Sequence, residues 1–235
     1  MSCPDPIPLS HAKILRYKNH RATVAGFFAG NMKWDDKFLS PLKLEIRLAL
    51  RANQAQSCYY CRRLIVLERR NMSEAIEHYL DKSQDHYRRW TFHPLNLVIA
   101  CQPCNFVKST TDLGDASVRA ATYLQPNIGQ FRWLHPYFDS YSDNIKISPG
   151  PVFSAIPDSP REAQAVAMIK DLKLDSIANM DDRVQFLADE LKKLMARSFK
   201  AVRRGTKYGR RDRYQAFLNE LESRIENGML QLHGI

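Results

Sequence analysis

The chain has 235 residues, 44% of them apolar, enough for one large domain or for a small domain held in a helical frame, and too apolar for a disordered tail. Thirty-five Lys and Arg against twenty-five Asp and Glu leave a formal charge of +10, a field that favours polyanionic partners. The first residues, "MSCPDPIPLSHAKI", lack the apolar stretch of a secretory signal, and no apolar run approaches the roughly 20 residues that span a bilayer, so the expectation is a soluble, cytoplasmic protein without a membrane partner.

In chain order, "SPLKLEIRLALRANQ" (residues 40–54) opens with a Ser cap and Pro at the first helical position. Its Leu42, Leu44, Ile46, Leu48 and Leu50 alternate as in a strand, but its length and its Leu, Ala, Arg and Lys content predict a helix. "RLIVLERR" and "EAIEHYL" read as short strands, and residues 80–94 as a polar, aromatic loop. "NLVIAC" is a further strand, and "QPCNFVKS" begins a helix with Pro103 in its first turn. Residues 132–160 hold five prolines and many aromatics, predicting an ordered connection. "SPREAQAVAMIKDLKL" has helical spacing through Ala163, Val166, Ile169 and Leu172. Two more helices are predicted, over 180–199 with Val184, Leu187, Leu191 and Leu194, and over 212–228 with Phe217, Leu221 and Ile225 before Gly228. The expected fold class is α+β and mostly helical: an N-terminal helical region over 1–54, a small core over 55–115, and a helical C-terminal region over 116–235.

Five cysteines include two Cys-x-x-Cys pairs, Cys58 with Cys61 and Cys101 with Cys104. In a chain without a secretory signal, this pattern points to metal rather than to disulfides. Four thiolates form the preferred structural shell of zinc, and such a site can decide whether a small core folds. Cys3 has no partner in this scheme. The pairs are separated by residues 62–100, longer than common finger spacings, so something is inserted in the knot.

The insertion carries Glu77-His78 and Asn96, and Asn105 follows the last cysteine. "IEHYLDKS…NLVIACQPCNFVKS" resembles the His-Asn-His (HNH, or ββα-metal) endonuclease family in its zinc-braced form. Cysteines, acid-His pair, asparagines and the Cys-x-x-Cys-Asn-x-x-Lys ending fall in the family's order over about residues 57–110. The resemblance implies a ββα-metal core and metal-dependent phosphodiester hydrolysis, with DNA expected ahead of RNA, tRNA included. It makes His78 the general base, a role that suits a neutral imidazole near pH 7. It makes Asn96 the brace that orients the histidine. Glu77 and the Asn105 carbonyl would be hard ligands for Mg²⁺ or Mn²⁺, and Lys108 a phosphate contact. Adjacent residues of a strand point to opposite faces, so the strand end must twist or bulge if Glu77 and His78 are to share one site. Many family members carry Asp, Pro and Gly where this chain has Glu77, Asp81 and Ser109. Asp81 is either an extra ligand or a solvated loop carboxylate.

Within the loop, Arg88, Arg89 and Trp90 can contact backbone and base of a nucleic acid. His86 and His93 read as surface residues and His135 as structural. The segment 197–213 packs Arg197, Lys200, Arg203, Arg204, Lys207, Arg210 and Arg211 around two glycines and Tyr208. It either grips phosphates or is a solvated charge run. The longer pattern, with "HPYFDSYSDNI" and the helix after it, is similar to HNH nucleases of bacterial antiphage defence, including the Septu type. That resemblance implies an ATPase partner. The competing reading is a non-catalytic, zinc-braced nucleic-acid-binding or adaptor module, which needs the cysteines and basic segments but not His78. A purely structural subunit of a larger complex is a third.

Overall fold

The computed structural model describes residues 3–16, 18–66, 73–148 and 152–177, with scattered helical positions between 189 and 223. Arg203, Arg204, Arg210 and Arg211, most of the helix expected over 180–199 and nearly all of that expected over 212–228 lie outside the described residues. The chain divides into two compact units, one of Met1–Ile147 with Phe153–Asp175 and one of Ser148–Val152 with Ser176–Ile235. The candidate site belongs entirely to the first.

That unit begins with a 3-10 turn, Ser10–Arg16, and helix α1, Lys18–Phe28, after which Gly30 takes a left-handed φ of 81° and lets the chain reverse. Helix α2, Ser40–Asn53, settles the ambiguity of its alternating leucines: Leu42, Ile46 and Leu50 recur every fourth residue and are buried, while Leu44 and Leu48 are exposed. The Ser40 cap is corrected. A 3-10 turn, Lys37–Leu39, runs straight into the helix, so Leu39 stands at the cap without a side-chain bond and Ser40 is already inside.

Strand β1, Glu74–His78, pairs antiparallel with β2, Leu97–Cys101, in a register that sets Glu77 opposite Val98 and His78 opposite Leu97. Helix α3, Gln102–Lys108, follows β2 directly and packs against both strands. Pro103 sits in its first turn, where its missing N–H costs nothing. The stretch "RLIVLERR" does not make the expected strand in its described part. Residues 63–66 supply only an isolated bridge between Leu64 and Ser57, and Leu64 is largely exposed, while 67–72 lie outside the described residues.

The sheet is tied to α2 by Gln54. Its fully buried side chain donates to the Ser57 and Ile99 carbonyls at 2.9 and 2.8 Å and accepts from Ile99 N at 2.7 Å, so an amide side chain serves as one more rung on β2. Buried tyrosines staple the rest: Tyr59 Oη to Leu134 O, Tyr79 Oη to Trp133 O, and Tyr141 Oη to Tyr60 O, at 2.7 to 2.8 Å. A short helix, α4, covers Ala116–Ala120, and strands β3, Ile145–Ser148, and β4, Val152–Ala155, form a second two-stranded sheet within the proline-rich connection. Helix α5, Glu162–Asp171, ends on Asp171, whose carboxylate accepts from Trp133 Nε1 at 2.8 Å and pairs with Arg132 at 2.6 Å. The fold is therefore mixed, combining helices with two small two-stranded sheets.

Candidate functional site

Cys58 and Cys61 come from the turn after α2, and Cys101 and Cys104 from the junction of β2 and α3. The Cys58 N–H donates to Arg63 O and the Arg62 N–H to Cys58 O, at 2.9 and 3.0 Å, closing a tight loop in which Arg62 takes φ 58°. All four sulfurs lie within 4.8 Å of one another, and Cys61 Sγ is 3.7 Å from Cys101 Sγ. A zinc–sulfur bond of about 2.3 Å gives a tetrahedron with edges of about 3.8 Å. The cluster thus matches a closed tetrahedral zinc shell in donor type, number and spacing. Cys58, Cys61 and Cys104 are buried, so solvent has little access to such an ion. Cys3 lies apart from the cluster.

At the end of β1, between that strand and α3, lies a cleft of about 630 Å³ whose lining includes Glu77, His78, Asp81 and Asn105. Of the twist or bulge expected at the strand end, no bulge is present. The β1–β2 register is regular through His78, the last residue of the strand, and the cleft wraps the strand end so that residues from both faces reach it.

The His78 imidazole is 4% exposed. One ring nitrogen bonds to the Thr91 backbone carbonyl, while Nε2 is buried with no hydrogen-bond partner. The proton therefore belongs on Nδ1, leaving the Nε2 lone pair free. Burial holds the imidazole well below its usual pKa, and the nearby Lys82, Lys108 and Lys43 push the same way against the Thr91 bond. The ring is neutral at pH 7, among three ammonium groups.

Asn96, fully buried, fixes the loop that carries Thr91. Its Oδ1 accepts from Leu80 N at 2.7 Å, and its Nδ2 donates to Leu80 O at 3.0 Å and Trp90 O at 3.1 Å. One side chain thus ties the residues just after His78 to those just before Thr91. The signal was only its place in the constellation, since a lone Asn before a strand is an ordinary turn residue.

Glu77 has an unforeseen partner. Lys108 is not displayed to solvent: its side chain is 1% exposed and its Nζ lies 2.6 Å from Glu77 Oε1. Burial raises the Glu77 pKa, and Lys108 pulls it back down. Asp81 is committed to a turn, accepting from Ser83 N at 3.0 Å and from Ser83 Oγ at 2.5 Å. Among the described residues, the four cysteines are the one group of three or more His, Cys, Asp or Glu whose ligand atoms converge. The oxygen donors for a second cation thus border the cleft, but the Lys108 ammonium takes the Glu77 oxygen, and water and phosphate oxygens would have to complete a Mg²⁺ shell.

The loop cations are only partly free. Arg89 donates to the carbonyls of Arg119 and Ala121 at 2.6 and 2.7 Å and lies over Trp90, which is buried and stacked on Tyr87. Arg88 is exposed, with its guanidinium 5.7 Å from the Phe27 ring. His93 is half-buried and caps a turn by accepting from Leu95 N at 3.3 Å. His135 is fully buried against Phe138, with ring centroids 3.8 Å apart.

Sequence reasoning missed Trp34, Lys43 and Lys82. The Trp34 ring meets His78 edge to face at 4.6 Å, and the Lys43 and Lys82 ammoniums lie 5.0 and 5.6 Å from its centre. Nothing in "NMKWDDK" points to a site, because only the tertiary fold brings that loop over the strand end.

No helix among the described residues is long and apolar enough to cross a membrane. Compared with protein-family models, with curated proteins and with solved structures, the chain matches none.

Proposed function

We propose that the chain is a metal-dependent endonuclease of the HNH type, with the strand pair and α3 as its ββα-metal core. The observation that carries the reading is the neutral His78 ring, anchored on the Thr91 backbone, with an unpartnered Nε2 among Lys43, Lys82 and Lys108. Lys108 is paired with Glu77, and a phosphodiester would bring further negative charge beside Lys43 and Lys82. Its arrival offsets the lysines and raises the basicity of His78 as an attacking water needs a base. With a water admitted beside it, His78 Nε2 would take that water's proton as the water oxygen attacks phosphorus and the bond from phosphorus to the leaving oxygen breaks. Asn96 keeps the ring aimed by holding the Thr91 loop, and the lysines stabilise charge on the phosphoryl oxygens. Glu77 and Asn105 would hold a Mg²⁺ or Mn²⁺ ion with the phosphate, and that ion would neutralise the leaving oxygen. Zinc in the four thiolates would be structural, bracing β2 and α3.

The resemblance to antiphage HNH nucleases adds an ATPase subunit as the proposed partner and infection as the setting. The test is cleavage of duplex DNA, single-stranded DNA and tRNA with Mg²⁺ or Mn²⁺, with and without the product of any adjacent ATPase gene. Wild type is expected to cut at least one of these, DNA first, and His78→Ala to lose about 10²- to 10⁴-fold in rate. Equal cutting by both proteins removes His78 from the chemistry. Binding without cutting in every combination favours the adaptor reading.

A further inference from the structure

We infer that Trp34 is a stacking platform for a nucleobase beside His78, so that the cleft takes an unpaired nucleotide, single-stranded or turned out of a duplex. The inference rests on the cleft being where nucleic acid binds, as proposed above.

The placement of Trp34 carries it. Its neighbours Lys33 and Asp35 are exposed, and Gly30, with φ 81°, begins the turn that brings the loop back. The indole is half-buried and touches His78 and Phe92, with ring centroids 4.6 and 5.6 Å away. It divides two clefts. Trp34 and Lys82 line both the His78 cleft, about 630 Å³, and a second of about 570 Å³ that also holds Lys33 and Arg88. A strand crossing from one cleft to the other passes the indole, with cations on both sides.

The two ammoniums at the ring show that charge can reach it. A cation over an aromatic ring is the weaker contact and a stacked base the stronger one, and the lysines displaced by a base gain phosphates in exchange. The exchange therefore favours the base. A paired base inside a duplex has no free face to offer, and enzymes that act on a single nucleotide draw it from the stack.

The test uses the zinc-loaded full chain without added Mg²⁺ or Mn²⁺, so that binding is read without turnover. Trp90 and Trp133 are buried, leaving Trp34 as the indole that a base can quench. A short oligothymidine is expected to quench tryptophan fluorescence and to bind more tightly than the same oligomer made abasic or a blunt duplex of equal length. Trp34→Leu should bind it about tenfold more weakly or worse, and Trp34→Phe should keep most of the affinity. Zinc content and thermal unfolding are compared for each variant. If Trp34→Leu is unfolded, the abasic comparison on wild type decides alone. Equal affinity of abasic and intact oligomers, or a duplex bound as tightly with no quench, overturns the platform. Discrimination by a protein that cuts nothing leaves the platform standing and sinks the nuclease reading; duplex cleavage indifferent to Trp34 does the reverse.

Discussion

The four-cysteine cluster and the cleft at the end of β1 make a contrast. In the first, four sulfurs converge at distances that a single ion satisfies, and the donor set is complete. In the second, a cleft brings together a buried imidazole with an unused nitrogen, lysines around it, and a carboxylate paired with one of those lysines. The first arrangement is finished by a metal alone. The second leaves the His78 Nε2 lone pair without a partner. The cysteine cluster lies where β2 meets α3, and the cleft is lined by β1 and α3, so α3 carries residues of both.

The contrast breaks first if the knot proves dispensable. Cys58→Ser or Cys104→Ser should lower bound zinc and abolish cooperative unfolding of the core, because the metal contributes on the order of 10 kcal/mol to such sites. Elemental analysis with thermal melting checks this, and an unchanged melt in chelator would refute a structural ion. On the cleft side, Lys108→Met strands the buried Glu77 charge and should destabilise by about 3–5 kcal/mol in urea titration. Adding Glu77→Gln to that variant should restore most of the loss.

Acid sharpens the comparison further. Burial depresses the pKa of His78 and of His135 well below 6.5. Above that value both rings are neutral folded or unfolded, and stability is full. Below it the unfolded chain takes up protons that the folded chain refuses, so stability falls as pH drops through 6.5. His135→Gln removes one such ring and should flatten the acid limb of a pH–stability profile by up to about 1.4 kcal/mol per pH unit. The smallest effect is at Ser109, which takes φ 47° and ψ −128° just after α3, a conformation suited to glycine. Ser109→Gly should stabilise by about 1 kcal/mol, read as a rise in melting temperature.

The sequence made part of this legible. The cysteine spacing led to a cluster with the geometry of a zinc site, and the order Glu77-His78, Asn96, Asn105 led to the end of β1, the turn before β2 and helix α3. Period and length placed α2, β1, β2 and α3. What stayed hidden depends on contacts far apart in the chain. The Glu77–Lys108 pair forms because α3 folds back over β1, and Lys108 in isolation reads as one more basic residue. Trp34 is more than forty positions from His78, and no periodicity links them. The missed cap at Ser40 came from a local conflict, in which a preceding 3-10 turn displaced a side-chain cap.

The most direct test of His78 as the base is chemical rescue. With the substrate that wild type cuts, His78→Gly should be nearly inactive, and added imidazole should restore part of the rate with a pH dependence set by the ionisation of free imidazole. A His78→Gly variant that cuts at the wild-type rate would contradict the account, as would an inactive one that remains folded and zinc-loaded but does not respond to imidazole.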